Sequence, residues 1–588
     1  MKNKLTRIGW IFTIVLLVGC VSNSKKVENF RTYAKAYGYV KYFHPSDEAV
    51  QIDWAKFAAY GAAKVEKCRS KEQLAEALNE LFRPVAPSVR FVVAKNAPVY
   101  DLKQITPDNA SSYRLTYWQH FGLGAGMKTR HLYKSIRVNS GLKGESEKLF
   151  DAQPEFEKVI VKEIGNRIYC LVPQVLYRND QSTYPVADAA AYKKLKAETD
   201  TFHFNPAVLS HKVGNVVNVY NVFQHFYPYF DVVDVQWDDE LKKALTRCIT
   251  DVTDMDHLIT LEKFTAPLKD GHISVISSAQ KYFCPSLFWE WVEGKLVITH
   301  NFGGNDDIHA GDIVSQINGV SADKYFEEIN SQISAGTKGW LNSRAQLMSL
   351  LGEKGSVMKL TINEKPFEVT RQMSISELYS DLNRNSKIYR QFGEDAWYLN
   401  MGKIPMDTIN KLLPALSKSK AIICDARGYP NGNHEFITHL MQKDDTTSAW
   451  MQVPQIIYPD HENVAGYFKA NWVPMMKAQK PYLGDKKIIY IIDGSAISYA
   501  ESCLGYIEGY HLATLVGQPT AGTNGDVNPF LLPGGYTVAW TGLKVLKHNG
   551  TQHHGVGILP NIYVTKTIQG IKEGRDEFLD KALELAKQ

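Results

Sequence analysis

Between residues 27 and 95 apolar side chains recur at the three- and four-residue spacing of one helix face, and NFRTYAKAYGYVKYF, DWAKFAAYGAAKVEK and SKEQLAEALNELF each predict a helix. In the third, Ser70 stands as an N-cap and Leu74, Leu78 and Leu81 form the stripe. The period then changes. From 96 to 205, short runs such as KVIVKEI and RIYCLVPQVLY alternate with turns and predict a separate, mostly β module. Helical spacing returns over 206–282. Residues 283–375 contain AGDIVSQINGVSADKYFEEI and GSVMKLTI, which read as a strand, a turn at Asn318-Gly319, a helix and a further strand. From 385 to 588, continuous apolar runs such as KAIICDARG and KKIIYIIDGS alternate with helical stretches, the pattern of an α/β domain with a largely buried sheet.

The two helical segments share a plan. Pro45, Trp54 and Pro84 recur as Pro228, Trp237 and Pro267, and 228 − 45, 237 − 54 and 267 − 84 are each 183. Three matches in one ungapped register suggest a duplicated helical unit. At the same offset His272, in KDGH, faces Val89, so the histidine belongs to only one copy. The strand, turn and helix of 283–375 resemble a PDZ domain, which implies a groove that takes an extended peptide by strand addition.

A chain of 588 residues exceeds one hydrophobic core, in keeping with several domains. With 44% apolar and 22% charged residues it reads as a folded protein, and a net charge of +5 without a long Lys/Arg run gives no footprint for nucleic acid. Cys68, Cys170, Cys248, Cys284, Cys424 and Cys503 are scattered with no CxxC pair, and the 17 histidines form no HExxH. No metal site, dense disulfide framework or nucleotide cofactor is therefore expected. At the N-terminus, Lys2, Lys4 and Arg7 precede an apolar stretch that stops at Cys20, the form of a secretory signal. Leu17-Val18-Gly19-Cys20 resembles a bacterial lipobox, which implies a lipoprotein signal peptide over residues 1–20 cut before Cys20, acylation of the Cys20 thiol and a lipid tether to a membrane of the cell envelope, facing the periplasm or the exterior.

Chemistry concentrates around DGSAISYAES, residues 493–502. Ser498-Tyr499-Ala500-Glu501 matches a Ser-x-x-Glu capping box, so Ser498 has a purely structural reading as a helix cap. A serine between a buried strand and a helix N-terminus is also where a nucleophile profits from outward-pointing amides. Its surroundings favour the second reading. The segments IIYIIDGSAISYAESCLGYIEGYHLATLVGQPTAG, AIICDARGYPNG and HHGVGILPNI, together with the chain from about 210 to 565, resemble the C-terminal processing, or tail-specific, serine peptidase family. The resemblance implies a multidomain α+β protein. Its catalytic domain is crotonase- or ClpP-like, and the PDZ-like module and the N-terminal helical and β modules accompany it. It also implies Ser498 as nucleophile and an oxyanion hole from the backbone amides of Tyr499, Asn431 and Gly432.

One departure bears on the mechanism. Many members of the family place a lysine 25 positions after the serine, and here that position is Thr523, which cannot act as a base. The tricorn-like branch instead uses a histidine ahead of its PDZ-like region, and PLKDGHISV resembles that segment, which implies His272 as the base. A pKa near neutrality suits that role. Where that branch has an orienting glutamate, this chain has Gln552, His553 and His554; Asp270 and Glu501 are the nearby carboxylates, and the sequence does not choose between them. The expectation is a secreted, lipid-anchored serine endopeptidase that cleaves extended polypeptides, presented by their C-termini, through an acyl-enzyme. The competing reading is a peptide-binding envelope protein on the same fold that has lost its base.

Overall fold

A computed structural model describes residues 5–125, 132–139, 147–384, 386–446, 450–473 and 475–588, with side chains from Asn23 onward. Residues 5–20 of the expected leader fall within the helix Leu5–Phe43, whereas residues 1–4, and the side chain of Cys20, lie outside the described residues. Among the described residues no helix is long and apolar enough to cross a membrane.

The α/β domain is built on a six-stranded sheet in the order Tyr389–Phe392, Ala396–Asn400, Ala421–Asp425, Lys487–Ile492, Thr514–Gly517, Ile562–Tyr563, parallel except for the first strand. Its central strands are apolar throughout because both faces are covered. Ile488, Tyr490 and Ile492 join the large core containing helix Tyr499–Gly509, whereas Ile489 and Ile491 pack with Phe578 and Ala582 of the C-terminal helix Glu577–Lys587.

Residues 283–375 form an antiparallel sheet in the order Leu287–Val292, Lys295–Asn301, Ile313–Ile317, Val357–Ile362, Lys365–Thr370, with helices Ala322–Asn330 and Lys338–Met348. Asn318 and Gly319 make the turn with positive φ. The start of helix Lys338–Met348 rests on the α/β domain. A Cβ on Gly494 would meet the Gly339 carbonyl carbon at 2.4 Å, so two glycines let the backbones touch.

The two helical segments share one core. The leading helix, Leu5–Phe43, packs on both Leu209–Phe226 and Trp237–Cys248, and Trp54–Val65 packs on Leu209–Phe226, so the two pairs interleave. Tyr37 and Trp54 lie 5.3 Å apart between ring centroids, and their counterparts in the repeated register, Tyr220 and Trp237, lie 6.0 Å apart.

Residues 96–205 do not stand as a separate β module. Ile168–Val172 pairs with Arg90–Val93 on one side and Ile160–Gly165 on the other, beside the helical core, while Arg114–Phe121, Lys134–Val138, Val175–Arg178 and Thr183–Tyr184 share a sheet with Met451–Ile456, Val464–Ala470 and Lys544–Val545. His120 pairs with Ile456 across the seam. The unpaired edge of a strand needs a ladder partner, and here a distant part of the chain supplies it.

Candidate active site

Strand Lys487–Ile492 ends at Asp493, whose side chain accepts from the Ser495 amide at 2.9 Å and starts a tight turn. At the end of that turn Ser498 sits at φ 59°, ψ −114°, at the N-cap of helix Tyr499–Gly509. A positive φ on a non-glycine residue stores about 1–3 kcal/mol and persists only where the surroundings enforce it. Two bonds do so: Ala521 donates to Ala496 O and Ser498 N donates to Thr523 O, each at 2.9 Å.

The capping-box reading is not realised. Ser498 makes no side-chain capping bond. Glu501, 1% exposed, turns instead to the loop at 520–523, accepting from the amides of Gly522 and Thr523 at 2.8 Å and from the Thr520 hydroxyl. The carboxylate holds that loop, and the loop holds the serine.

The histidine comes from the helical layer. Helix Asp254–Thr265 runs through the turn Ala266–Leu268 into Asp270-Gly271-His272, and strand Ser274–Ile276 follows. Gly271 N donates to Thr523 Oγ1 at 2.9 Å. Thr523 therefore clamps both segments, its carbonyl on the Ser498 amide and its hydroxyl on the residue before His272.

Strand Ser274–Ile276 pairs antiparallel with Tyr536–Ala539, Ser274 opposite Ala539. Carried two positions further, that register sets Thr541 opposite His272. His272 Nδ1 and Thr541 Oγ1 are 2.8 Å apart, and Thr541 Oγ1 donates to Asp270 Oδ1 at 2.8 Å. Asp270 also accepts from Thr541 N at 2.7 Å and from His272 N at 3.0 Å. The threonine hydroxyl has one proton and gives it to the carboxylate, so towards His272 it can only accept. Nδ1 then carries the imidazole proton and Nε2 is left as the acceptor. Burial pushes the His272 pKa below 6.5, and the Asp270 carboxylate partly opposes that shift.

No hydrogen bond joins Ser498 Oγ to His272 among the described residues, and such contacts often tighten only around substrate. The amides of Tyr499 and Gly432 are likewise unspent. The Asn431 amide is not: it donates to Met401 O at 2.9 Å, and the side chain donates to Lys403 O at 2.9 Å, folding the loop onto the end of strand Ala396–Asn400. That removes Asn431 from the expected oxyanion set. Arg427 is structural, bonding Asp425 and Asp576 through its guanidinium. Tyr429, 58% exposed, stands 5.6 Å from Tyr499 between ring centroids, with Trp472 at 5.5 Å on the same ring, so an aromatic wall flanks the serine's helix.

Thr541 is the residue that sequence reasoning missed. Nothing local marks it, since it reaches His272 only through the pairing of strands that lie far apart along the chain.

Part of the chain is similar to known proteins. A carboxy-terminal-processing protease of Bartonella bacilliformis is 27% identical over 285 residues, 46% of this chain and 58% of that one. A carboxyl-terminal-processing protease of Picosynechococcus is 23% identical over 220 residues, 36% of this chain and 49% of that one. The chain thus spans about half the length of the curated relatives it matches. The solved structure of mature CPAF complexed with lactacystin superposes with a TM-score of 0.52 at 13% identity, covering 64% of this chain and 98% of that one, a likeness of fold. Residues 411–564 match Peptidase family S41. That span contains Ser498, Thr523 and Thr541 and leaves His272 and Asp270 outside it. The chain therefore carries a peptidase family S41 domain, to which the preceding helical layer adds a histidine and an aspartate.

Proposed function

We propose that this protein is a serine endopeptidase in which Ser498 attacks the peptide carbonyl and His272 Nε2 takes the hydroxyl proton and returns it to the leaving amine. The observation that carries this reading is the chain Asp270–Thr541–His272, because it fixes the tautomer that a general base for Ser498 requires. Thr541 and Asp270 are positioning residues. They hold the ring, and the carboxylate stabilises the imidazolium that forms during transfer. The amides of Tyr499 and Gly432 receive the oxyanion, helped by the positive end of helix Tyr499–Gly509. Water then hydrolyses the acyl-enzyme.

The substrate class is an extended polypeptide, in keeping with the names of the relatives. A cleft of about 370 Å³ between the 283–375 module and the α/β domain, lined by Trp291, Asn342, Asp493, Ser495 and Lys566, reaches the turn that carries Ser498. The PDZ-like module would hold a chain there by strand addition, offered by its C-terminus. The N-terminal leader and the lipobox-like Leu17–Cys20 support export and lipid attachment at Cys20.

Ser498→Ala is expected to abolish peptide cleavage, by about 10⁴-fold or more, with the thermal transition of the wild type retained. Cleavage at the wild-type rate in that variant would remove Ser498 from the mechanism.

A further inference from the structure

A second constellation lies in the helical layer. Helix Trp237–Cys248 ends on Cys248, Asp251 sits in the connection, and His257 follows within helix Asp254–Thr265. The Cys248 Sγ, an Asp251 carboxylate oxygen and a His257 ring nitrogen all lie within 4.8 Å of one another. Cys248 and His257 are fully buried. His257 Nδ1 is 3.8 Å from Asp251 Oδ2, too far for a hydrogen bond, and neither atom has a hydrogen-bond partner among the described residues.

The other helical pair shows what this junction looks like without chemistry. In the register that matches Trp54 with Trp237, the corresponding positions are Val65, Cys68 and Leu74, and Val65 and Leu74 are buried in the apolar core. The scaffold around them corresponds. Asn29 donates to Val65 O at 3.1 Å and to Cys68 O at 2.8 Å, and Lys212, which takes the place of Asn29 in that register, donates to the Asp251 carbonyl. The Lys212 ammonium is thus engaged at a helix C-terminus, where positive charge is favoured. One junction is closed by hydrocarbon. The other sets a buried thiol and a buried imidazole beside a part-buried carboxylate, with Asp251 Oδ2 and His257 Nδ1 left unmet, which is costly for buried polar atoms.

We propose that Cys248, Asp251 and His257 bind one divalent ion of the zinc class, which staples helix Trp237–Cys248 to helix Asp254–Thr265. Mixed sulfur, nitrogen and oxygen donors suit zinc, and three protein ligands leave a fourth position for water. Binding expels the Cys248 thiol proton to solvent, so thiolate and carboxylate together balance the ion's charge. Burial, with the Asp251 charge beside it, pushes that thiol well above its ordinary pKa. Ligation through Nδ1 requires the proton on Nε2, which lies 3.2 Å from the Asn215 amide. Turning that amide over sets its unpaired Oδ1 against Nε2–H, at the expense of the Asn215 Nδ2 contact to Pro533 O. The staple supports the helix that leads to Asp270 and His272, and the proposal does not depend on the peptidase reading.

The test uses the untagged full chain, stripped with a chelator and titrated with Zn²⁺ by calorimetry and with Co²⁺ by absorption. Expected are one ion per chain, a thiolate-to-cobalt charge-transfer band and a higher melting temperature with zinc. The double variant Cys248→Val, His257→Leu borrows the residues of the other pair and should stay folded while losing both ion and band. Should it fail to fold, Cys248→Ser gives the same reading, with no charge-transfer band and zinc binding weakened by about 100-fold. A wild type that takes up no stoichiometric ion, or a Cys248→Ser variant that keeps the band, overturns the proposal.

Discussion

The two helical pairs pack alike and differ in what they carry. In the first, His44 is fully buried with both ring nitrogens engaged, by Ser46 at 3.0 Å and Ser88 at 2.7 Å, and burial lowers its pKa to about 3. In the second, His272 spends only Nδ1 and sits in a loop pressed against the S41 domain. Where the second pair leads to Asp270-Gly271-His272, the first continues through Val89, 4% exposed, into strand Arg90–Val93. A histidine with both nitrogens satisfied is structure, whereas one with a single fixed nitrogen has another free for proton transfer. The same helical frame serves as packing in one place and as a mount for a base in the other.

The largest way to sharpen that contrast is to remove the mounted base. His272→Ala should lower peptide cleavage by about 10⁴-fold with little change in melting temperature, since Thr541 keeps both of its bonds to Asp270 without the ring. In the other pair, Leu74→Ala should cost about 2–5 kcal/mol of stability, read by denaturant titration, with unchanged activity per folded molecule. A large loss of kcat in folded Leu74→Ala would break the division between packing and chemistry.

Thr541→Val keeps the shape and removes the bridge. It should lower kcat by about 10²-fold at similar KM, and Thr541→Ser should restore most of it, which a purely structural threonine would not require. The smallest effect is also the most specific. Because burial depresses the His272 pKa, the neutral base persists below pH 6.5, and the acid limb of kcat/KM should lie under that value. The Asp270 carboxylate raises that pKa, so Asp270→Asn should move the limb to still lower pH while lowering kcat. A limb that stays put or moves upward would show that Asp270 does not act on His272.

What the sequence revealed depended on how local each signal was. The helices of 27–95, the buried strand Lys487–Ile492 and the turn at Asn318-Gly319 follow from spacing and turn chemistry between near neighbours in the chain. Ser498 and His272 were nameable because each lies in a short motif. Thr541 was not, since its role exists only through the register of Ser274–Ile276 on Tyr536–Ala539. Glu501 misled for the same reason: its spacing from Ser498 fits a cap, but the loop 520–523 competes successfully for the carboxylate. Asn431 looked available until Met401 took its amide, and the residues after 96 looked autonomous until Met451–Ile456 joined their sheet.

The most direct measurement is covalent labelling of the full chain with a fluorophosphonate probe, mapped by mass spectrometry in wild type, His272→Ala and Thr541→Val. Labelling at Ser498 in the wild type, absent in His272→Ala and slowed in Thr541→Val, is the predicted result. A wild-type Ser498 that does not label, or one that labels equally fast without His272, would contradict the account.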